Sequence, residues 1–278
     1  MTGKGGVGKS TVSAALAVAA AGQGLRTVVA EVGGRTDTAR LLAPHGIDCV
    51  SITPRDAMEE YLQVQLPRAL GELLARSGTF AAFAEATPGM NELLTMGKVW
   101  ELAADRRRTP GAEPYDVVIL DAPASGHGLA LLGAPRTFSD AARVGPIHHQ
   151  AGLIAATVQD PETTAVVAVT LAEEMPVNET LELRDALVER IGLDVSLVIA
   201  NGIAPDRFTT DEAAVLQAAG APHGSPIAAA LWADGRARGQ RTQLRRLRSG
   251  VDARPVRLPF VFGEPDVAEL AELLEDAL

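Results

Sequence analysis

Residues 3–11 read GKGGVGKST, with Gly3, Gly8, Lys9 and Ser10 at the spacing G-x-x-x-x-G-K-[ST] of the Walker A loop. Glycines let a backbone turn through positive φ and bring its N–H groups close to an anion. The stretch Gly5, Gly6, Val7, Gly8, Lys9, Ser10 and Thr11 would then form a nest for phosphates, backed by the partial positive charge of the following helix. Lys9 would reach the β- and γ-phosphates of ATP, and the Ser10 hydroxyl would ligate Mg²⁺. The next stretch, STVSAALAVAAA (10–21), is a good helix of small residues with no breaker before Gly22.

A loop of this kind joins a central parallel strand to a helix. Only Met1 and Thr2 precede Gly3. The expectation is therefore that this strand is cut short in the middle of the sheet, and that the natural protein carries a short apolar strand upstream.

Working outward, apolar runs at 27–32 (TVVAEV), 115–120 (YDVVIL), 164–171 (TAVVAVTL) and 195–200 (VSLVIA) read as buried parallel strands. A weaker one is expected at 253–259. Helices are expected at 10–21, 177–191, 211–219, 225–247 and 266–277. Strands alternating with helices predict a doubly wound, mostly parallel α/β fold of the P-loop NTPase kind, as a single domain over 1–278.

Residues 53–108 differ: no clear strand, and several helices instead, so they are expected to form a helical subdomain inserted in that domain. Thr53 can cap the first helix, with Pro54 at its first position and Asp56 supplying an early carboxylate. Met58, Tyr61, Leu62, Leu66, Ala69, Leu70, Leu73 and Leu74 follow at helical spacing, and Pro67 should kink or split the run. Phe80, Phe83, Met90, Leu93, Leu94, Met96, Val99 and Trp100 add more apolar surface. Two readings fit: an ordinary helical core, or a groove for apolar cargo.

YDVVILDAPASGHG (115–128) has the form of a Walker B strand and a switch loop. Asp121 falls at the strand's C-terminal end, where open α/β sheets bind ligands, and would hold Mg²⁺ through water. Gly126 could donate its N–H to the γ-phosphate and let the loop rearrange when that phosphate leaves.

The two lysines of GKGGVGKST make it resemble the deviant Walker A of the MinD/ParA/arsenite-pump ATPases, a class in which the early lysine, here Lys4, reaches across a dimer interface to the partner's nucleotide. DAPASGHGLALL (121–132) resembles the switch of the arsenite-pump family, which includes the tail-anchored-protein targeting ATPases. VTLAEEMPVNETLEL (169–183) and VIANGI (198–203) resemble two further segments of that family, and the second implies Asn201 as a base reader. The likeness covers most of the chain and is nearest to an actinobacterial subgroup of paired ATPases. It implies ATP and Mg²⁺ as cofactors, and a homodimer or a heterodimer with a paralogous ATPase. It also implies a hydrophobic cargo or partner.

One departure bears on chemistry. In most members the second strand ends in an aspartate that positions the attacking water, and here VVAEVGGRTD places Gly33 there. Only Asp37 or Glu31 could substitute, since such a carboxylate must reach the water. The resemblance thus leaves two readings: a working ATPase, or a regulatory subunit that binds nucleotide beside an active paralogue.

Composition narrows the remaining classes. Hydrophobic residues at 47% support a substantial core, and aromatics at 4% make it mainly aliphatic. The net charge of −10 argues against a general nucleic-acid binder. No apolar run is long enough to span a membrane, and no signal peptide is evident, so a cytoplasmic protein is expected. A lone cysteine, Cys49, cannot supply a metalloid-binding cysteine cluster, a C-x-x-C zinc site or the paired ligands of an iron–sulfur subunit. The C-terminal AELLEDAL lacks the basic face of a MinD-type membrane anchor. The arginines from Arg236 to Arg248 read as a solvated helix face or as a contact for an acidic partner or membrane surface, and His148 and His149 as structural residues.

Overall fold

In the computed structural model, residues 1–34, 36–65, 86–109, 111–252 and 255–276 are described. The Walker A loop runs straight into α1 (Lys9–Gly22), as its alanine-rich sequence dictates. Parallel strands β1 (Thr27–Val32), β2 (Asp48–Ile52) and β3 (Val117–Asp121) form one sheet in the order β2-β1-β3. A second parallel sheet has the order β4-β5-β6, from Val167–Leu171, Leu197–Ile203 and Val256–Pro259.

Residues 1–3 lie between the two sheets. The Thr2 N–H donates to Val167 O at 2.9 Å, and Thr2 O accepts from the Val169 N–H at 2.8 Å. On the other side Met1 O accepts from the Ala122 N–H at 3.2 Å. The segment leading into the Walker A loop therefore sits in the middle of the parallel array, between β3 and β4, as a P-loop requires.

Helices cover both faces because successive strand residues point to opposite sides. Val29, Val169 and Ile199 pack with α1 and α10 (Val267–Glu275) in one core. Ala168 and Val198 pack on the other side against α5 (Ser125–Ala142), α6 (Pro146–Gln159), α7 (Glu174–Arg190) and α9 (Pro226–Gly250). The short α2 (Asp37–Leu42) links β1 to β2, and α8 (Thr210–Ala218) starts on a Thr209–Glu212 capping box. This is the doubly wound α/β arrangement.

The described part of 53–108 is helical, with α3 (Pro54–Gln65) and α4 (Met90–Leu102). Thr53 caps α3 as expected, its hydroxyl accepting from the Asp56 N–H at 3.2 Å and donating to the Asp56 carboxylate at 2.7 Å. Ala57, Leu94 and Leu102 pack under β1 and β2 against Ala30 and Ile52. The expected apolar positions Leu66, Ala69, Leu70, Leu73, Leu74, Phe80 and Phe83, and the break at Pro67, lie outside the described residues. Among the described residues no helix is long and apolar enough to cross a membrane.

Several expected boundaries shift. The strands begin two to three residues later than the apolar runs suggested, at Val117, Val167, Leu197 and Val256. Ahead of the ladders, the Asp116 and Ser196 N–H groups already donate across to Arg26 O and Val166 O.

Candidate functional site

The Walker A loop, the ends of β1, β3 and β5, and the start of α5 converge at the C-terminal edge of the parallel strands. Gly6 and Gly8 take positive φ of 81° and 93°, and α1 begins with no side-chain cap, which leaves its first-turn N–H groups available to an anion. A Cβ on Gly5 or Gly6 would meet nothing within 4 Å, so the cradle is open at these residues. At Gly8 a Cβ would lie 2.4 Å from Asn201 Nδ2. Asn201, at the end of β5, donates that amide to Val7 O at 2.9 Å and so braces the loop from behind. Lys9 is buried, its ammonium donating to Gly3 O at 3.1 Å and Lys4 O at 2.9 Å. Thr11 follows in the first turn of α1, half-buried.

The cation end is built from oxygens. Ser10 Oγ donates to Asp121 Oδ2 at 2.6 Å, and Ser13 Oγ lies 3.4 Å from Oδ1. One hydroxyl beside one buried carboxylate is the hard-oxygen donor set that suits Mg²⁺, so Ser10 and Asp121 fit that ion. The described residues contain no group of three histidine, cysteine or acidic side chains at metal-holding distance. His148 is half-buried against Ser139 O at 2.8 Å, and His149 is exposed.

Around this centre the expected residues divide. Gly126 is exposed in the first turn of α5, on the switch segment, and a Cβ there would meet nothing within 4 Å. Lys4 forms an ion pair with Glu179 of α7 in the same chain. Gly33 follows β1 at φ +90°, and its N–H donates to Ile52 O at 3.1 Å. Asp37 opens α2 and is exposed, whereas Glu31 is 1% exposed and turned inward. Glu31 Oε1 accepts from the Thr38 hydroxyl at 3.0 Å and from the Thr38 N–H at 3.2 Å. Cys49, on β2, points its thiol at Glu31 Oε2 at 3.9 Å. Burial, with the Glu31 and Asp121 charges nearby, pushes that thiol up to about 11, so it stays protonated near neutral pH.

Sequence reasoning missed two features. Thr38 was one polar residue among several in GGRTDTAR, and only the folding of α2 onto β1 brings it to the carboxylates. The exposed aromatics Phe260 and Phe262 follow β6, beside the strand that carries Asn201; their rings meet edge to face at 5.0 Å. The Arg236 guanidinium lies 4.9 Å from the Phe260 ring centre. The run PFVF was the available signal.

A second concavity lies among α3, α4 and α6, a cavity of about 230 Å³. Met58, Tyr61, Leu93, Leu94 and Ile154 line it, with Arg108 among its polar members. Of the apolar positions expected in 53–108, Met58, Tyr61, Met90, Leu93 and Leu94 line it.

Comparison with known proteins gives this site its context. The family model described as Anion-transporting ATPase matches residues 1–150 and 144–220. ATPase BagA of Mycobacterium tuberculosis is 32% identical over 220 residues, covering 72% of this chain and 63% of that protein. ATPase GET3 of Zygosaccharomyces rouxii is 26% identical, covering 72% and 70%. The arsenical pump-driving ATPase of Escherichia coli is 24% identical, covering 73% and 39%. The chain thus spans less than two thirds of the length of the mycobacterial relatives.

Proposed function

The chain belongs to the Anion-transporting ATPase family, and from that premise we propose that it binds Mg-ATP as a nucleotide-switched, dimer-forming ATPase. The observation that carries this reading is the open, uncapped glycine loop at α1, set against the Ser10–Asp121 contact. Gly5, Gly6, Val7, Gly8 and Thr11 would cradle the phosphates through their N–H groups, with Gly3 seating the loop. Lys9 would leave the Gly3 and Lys4 carbonyls for the β- and γ-phosphates. Ser10 would ligate the cation directly, and Asp121 through water. Bound Mg²⁺ would neutralise charge on the phosphates.

Asn201 already braces the loop at Val7 O, and with the Phe260–Phe262 turn nearby it would flank the base. Gly126, at the start of α5, would meet the γ-phosphate. Lys4 would exchange Glu179 for the nucleotide of a second subunit, either a copy of this chain or a paralogue. The α3–α4–α6 cavity would take a hydrophobic cargo or partner, and a cytoplasmic location fits these roles.

Gly33 favours a second reading, a regulatory subunit that binds nucleotide and supports an active paralogue. Of the two carboxylates that could substitute, Asp37 is exposed and could turn toward a water, whereas Glu31 is buried and hydrogen-bonded to Thr38.

Lys9→Ala tests the nucleotide assignment, which both readings share. Calorimetry should find ATP binding abolished, with an unchanged far-ultraviolet spectrum. An affinity within about threefold of wild type, roughly 0.65 kcal/mol, would remove Lys9 from the site.

A further inference from the structure

We propose that Glu31, acting through Thr38, is a positioning residue for the cation end of this site; the inference rests on the nucleotide reading above. Glu31 and Asp121 are register partners on the neighbouring parallel strands β1 and β3. They are 1% and 5% exposed, so two carboxylates lie side by side away from bulk water. Paired oxygens of this kind suit a cation placed beside them.

Thr38 makes the arrangement directional. Its hydroxyl lies 3.0 Å from Glu31 Oε1 and 3.4 Å from Asp121 Oδ2. A hydroxyl has one proton and two acceptor lone pairs. The shorter contact, reinforced by the Thr38 N–H on the same Glu31 oxygen, gives the proton to Glu31. The lone pairs of Thr38 Oγ1 then face Asp121 Oδ2, leaving two acceptors opposed at 3.4 Å. A hydrated cation beside Asp121 relieves that opposition, because its water can donate to both oxygens. Glu31 therefore sets the hydroxyl's polarity, adds negative charge and fixes the start of α2 against the cation end. Outer partners of this kind orient the groups nearest a metal ion and tune its affinity.

The test compares Thr38→Val, Thr38→Ser and Glu31→Gln with the wild-type chain. ADP affinity is measured by calorimetry in EDTA, and Mn²⁺ affinity of the ADP complex by electron paramagnetic resonance. Thr38→Val and Glu31→Gln should weaken Mn²⁺ by about tenfold. Their ADP affinity in EDTA should stay within about twofold of wild type. Thr38→Ser, which keeps the hydroxyl, should hold Mn²⁺ nearly as the wild type does. Unchanged Mn²⁺ affinity in both weakening variants would overturn the proposal. A parallel loss of ADP affinity in EDTA would also overturn it, since the pair would then be merely structural. Failure of the wild type itself to bind ADP is a separate result: it removes the nucleotide reading and this inference with it.

Discussion

At the scale of single residues, the glycines of the loop have different reasons to be glycine, and the motif alone does not separate them. Gly3 takes φ +139°, and a Cβ there would lie 2.1 Å from Val169 O on β4. Its constraint comes from the fold. Gly5 lies outside the left-handed region, and its Cβ would meet nothing within 4 Å, so any constraint there comes from a ligand. Gly3→Ala should therefore destabilise the chain by about 2–4 kcal/mol through strain and overpacking. Gly5→Ala should leave the thermal midpoint within about 2 °C, yet weaken ATP by tenfold or more, about 1.4 kcal/mol. Calorimetry alongside thermal melts separates the two effects, and full ATP affinity in Gly5→Ala would mean the loop does not wrap phosphates. The spacing made Gly3, Gly8, Lys9 and Ser10 legible. Thr38 was not legible, because its role depends on how α2 folds back rather than on any local pattern.

At the scale of elements, legibility followed burial. The strands β1, β4 and β5 have buried centres and read as continuous apolar runs; β3 reads so too, though its first four residues are half-buried. The edge strand β2, DCVSI, exposes Asp48 and Ser51 and carries no such run. Helix α5 was hidden for another reason: it holds Pro135 within its length and four glycines or prolines in its first eleven residues. In the helical segment, one buried carboxylate organises the end of α4. Glu101 accepts from Lys98 at 3.1 Å, from Arg107 Nε at 2.9 Å and from the Arg108 N–H at 3.1 Å. Lys98 also reaches Glu60 of α3 at 2.7 Å. Burial alone would raise the Glu101 pKa, but the Arg107 and Lys98 hydrogen bonds and charges outweigh it and hold the carboxyl below its usual value. A depressed folded-state pKa contributes stability above the unfolded value of about 4.3, and that contribution fades as pH falls through the folded value. Glu101→Gln should thus cost about 3 kcal/mol at neutral pH by leaving the buried Arg107 guanidinium without its carboxylate, while Lys98 keeps Glu60. Denaturant unfolding should find the gap narrowing as pH falls from about 5 to 3. A gap that persists in acid would assign the effect to packing rather than charge.

At the scale of the whole molecule, the alternation of apolar runs with helical stretches made the doubly wound arrangement readable. It also fixed which edge of the strands would carry the chemistry. That edge brings together the Walker A loop, Asp121, the β1–α2 turn and the Lys4–Glu179 pair. A water-orienting carboxylate is the component this edge supplies least well. Gly33 stands at the position where the family resemblance leads one to expect an aspartate. Its φ of +90° and the open space around its missing Cβ give no sign that a neighbouring group fills in. Typical enzymes turn over on the order of 10 s⁻¹, and loss of a general base costs about 10²–10⁴-fold. The isolated chain with Mg-ATP should therefore release phosphate at about 0.1 s⁻¹ or slower. A steady-state assay reading about 1 s⁻¹ would show that this chain supplies the group from elsewhere. Asp37→Asn then decides the source: loss of that activity locates the carboxylate at the start of α2. Retention would turn the search to Glu31, where Glu31→Gln should then abolish the activity.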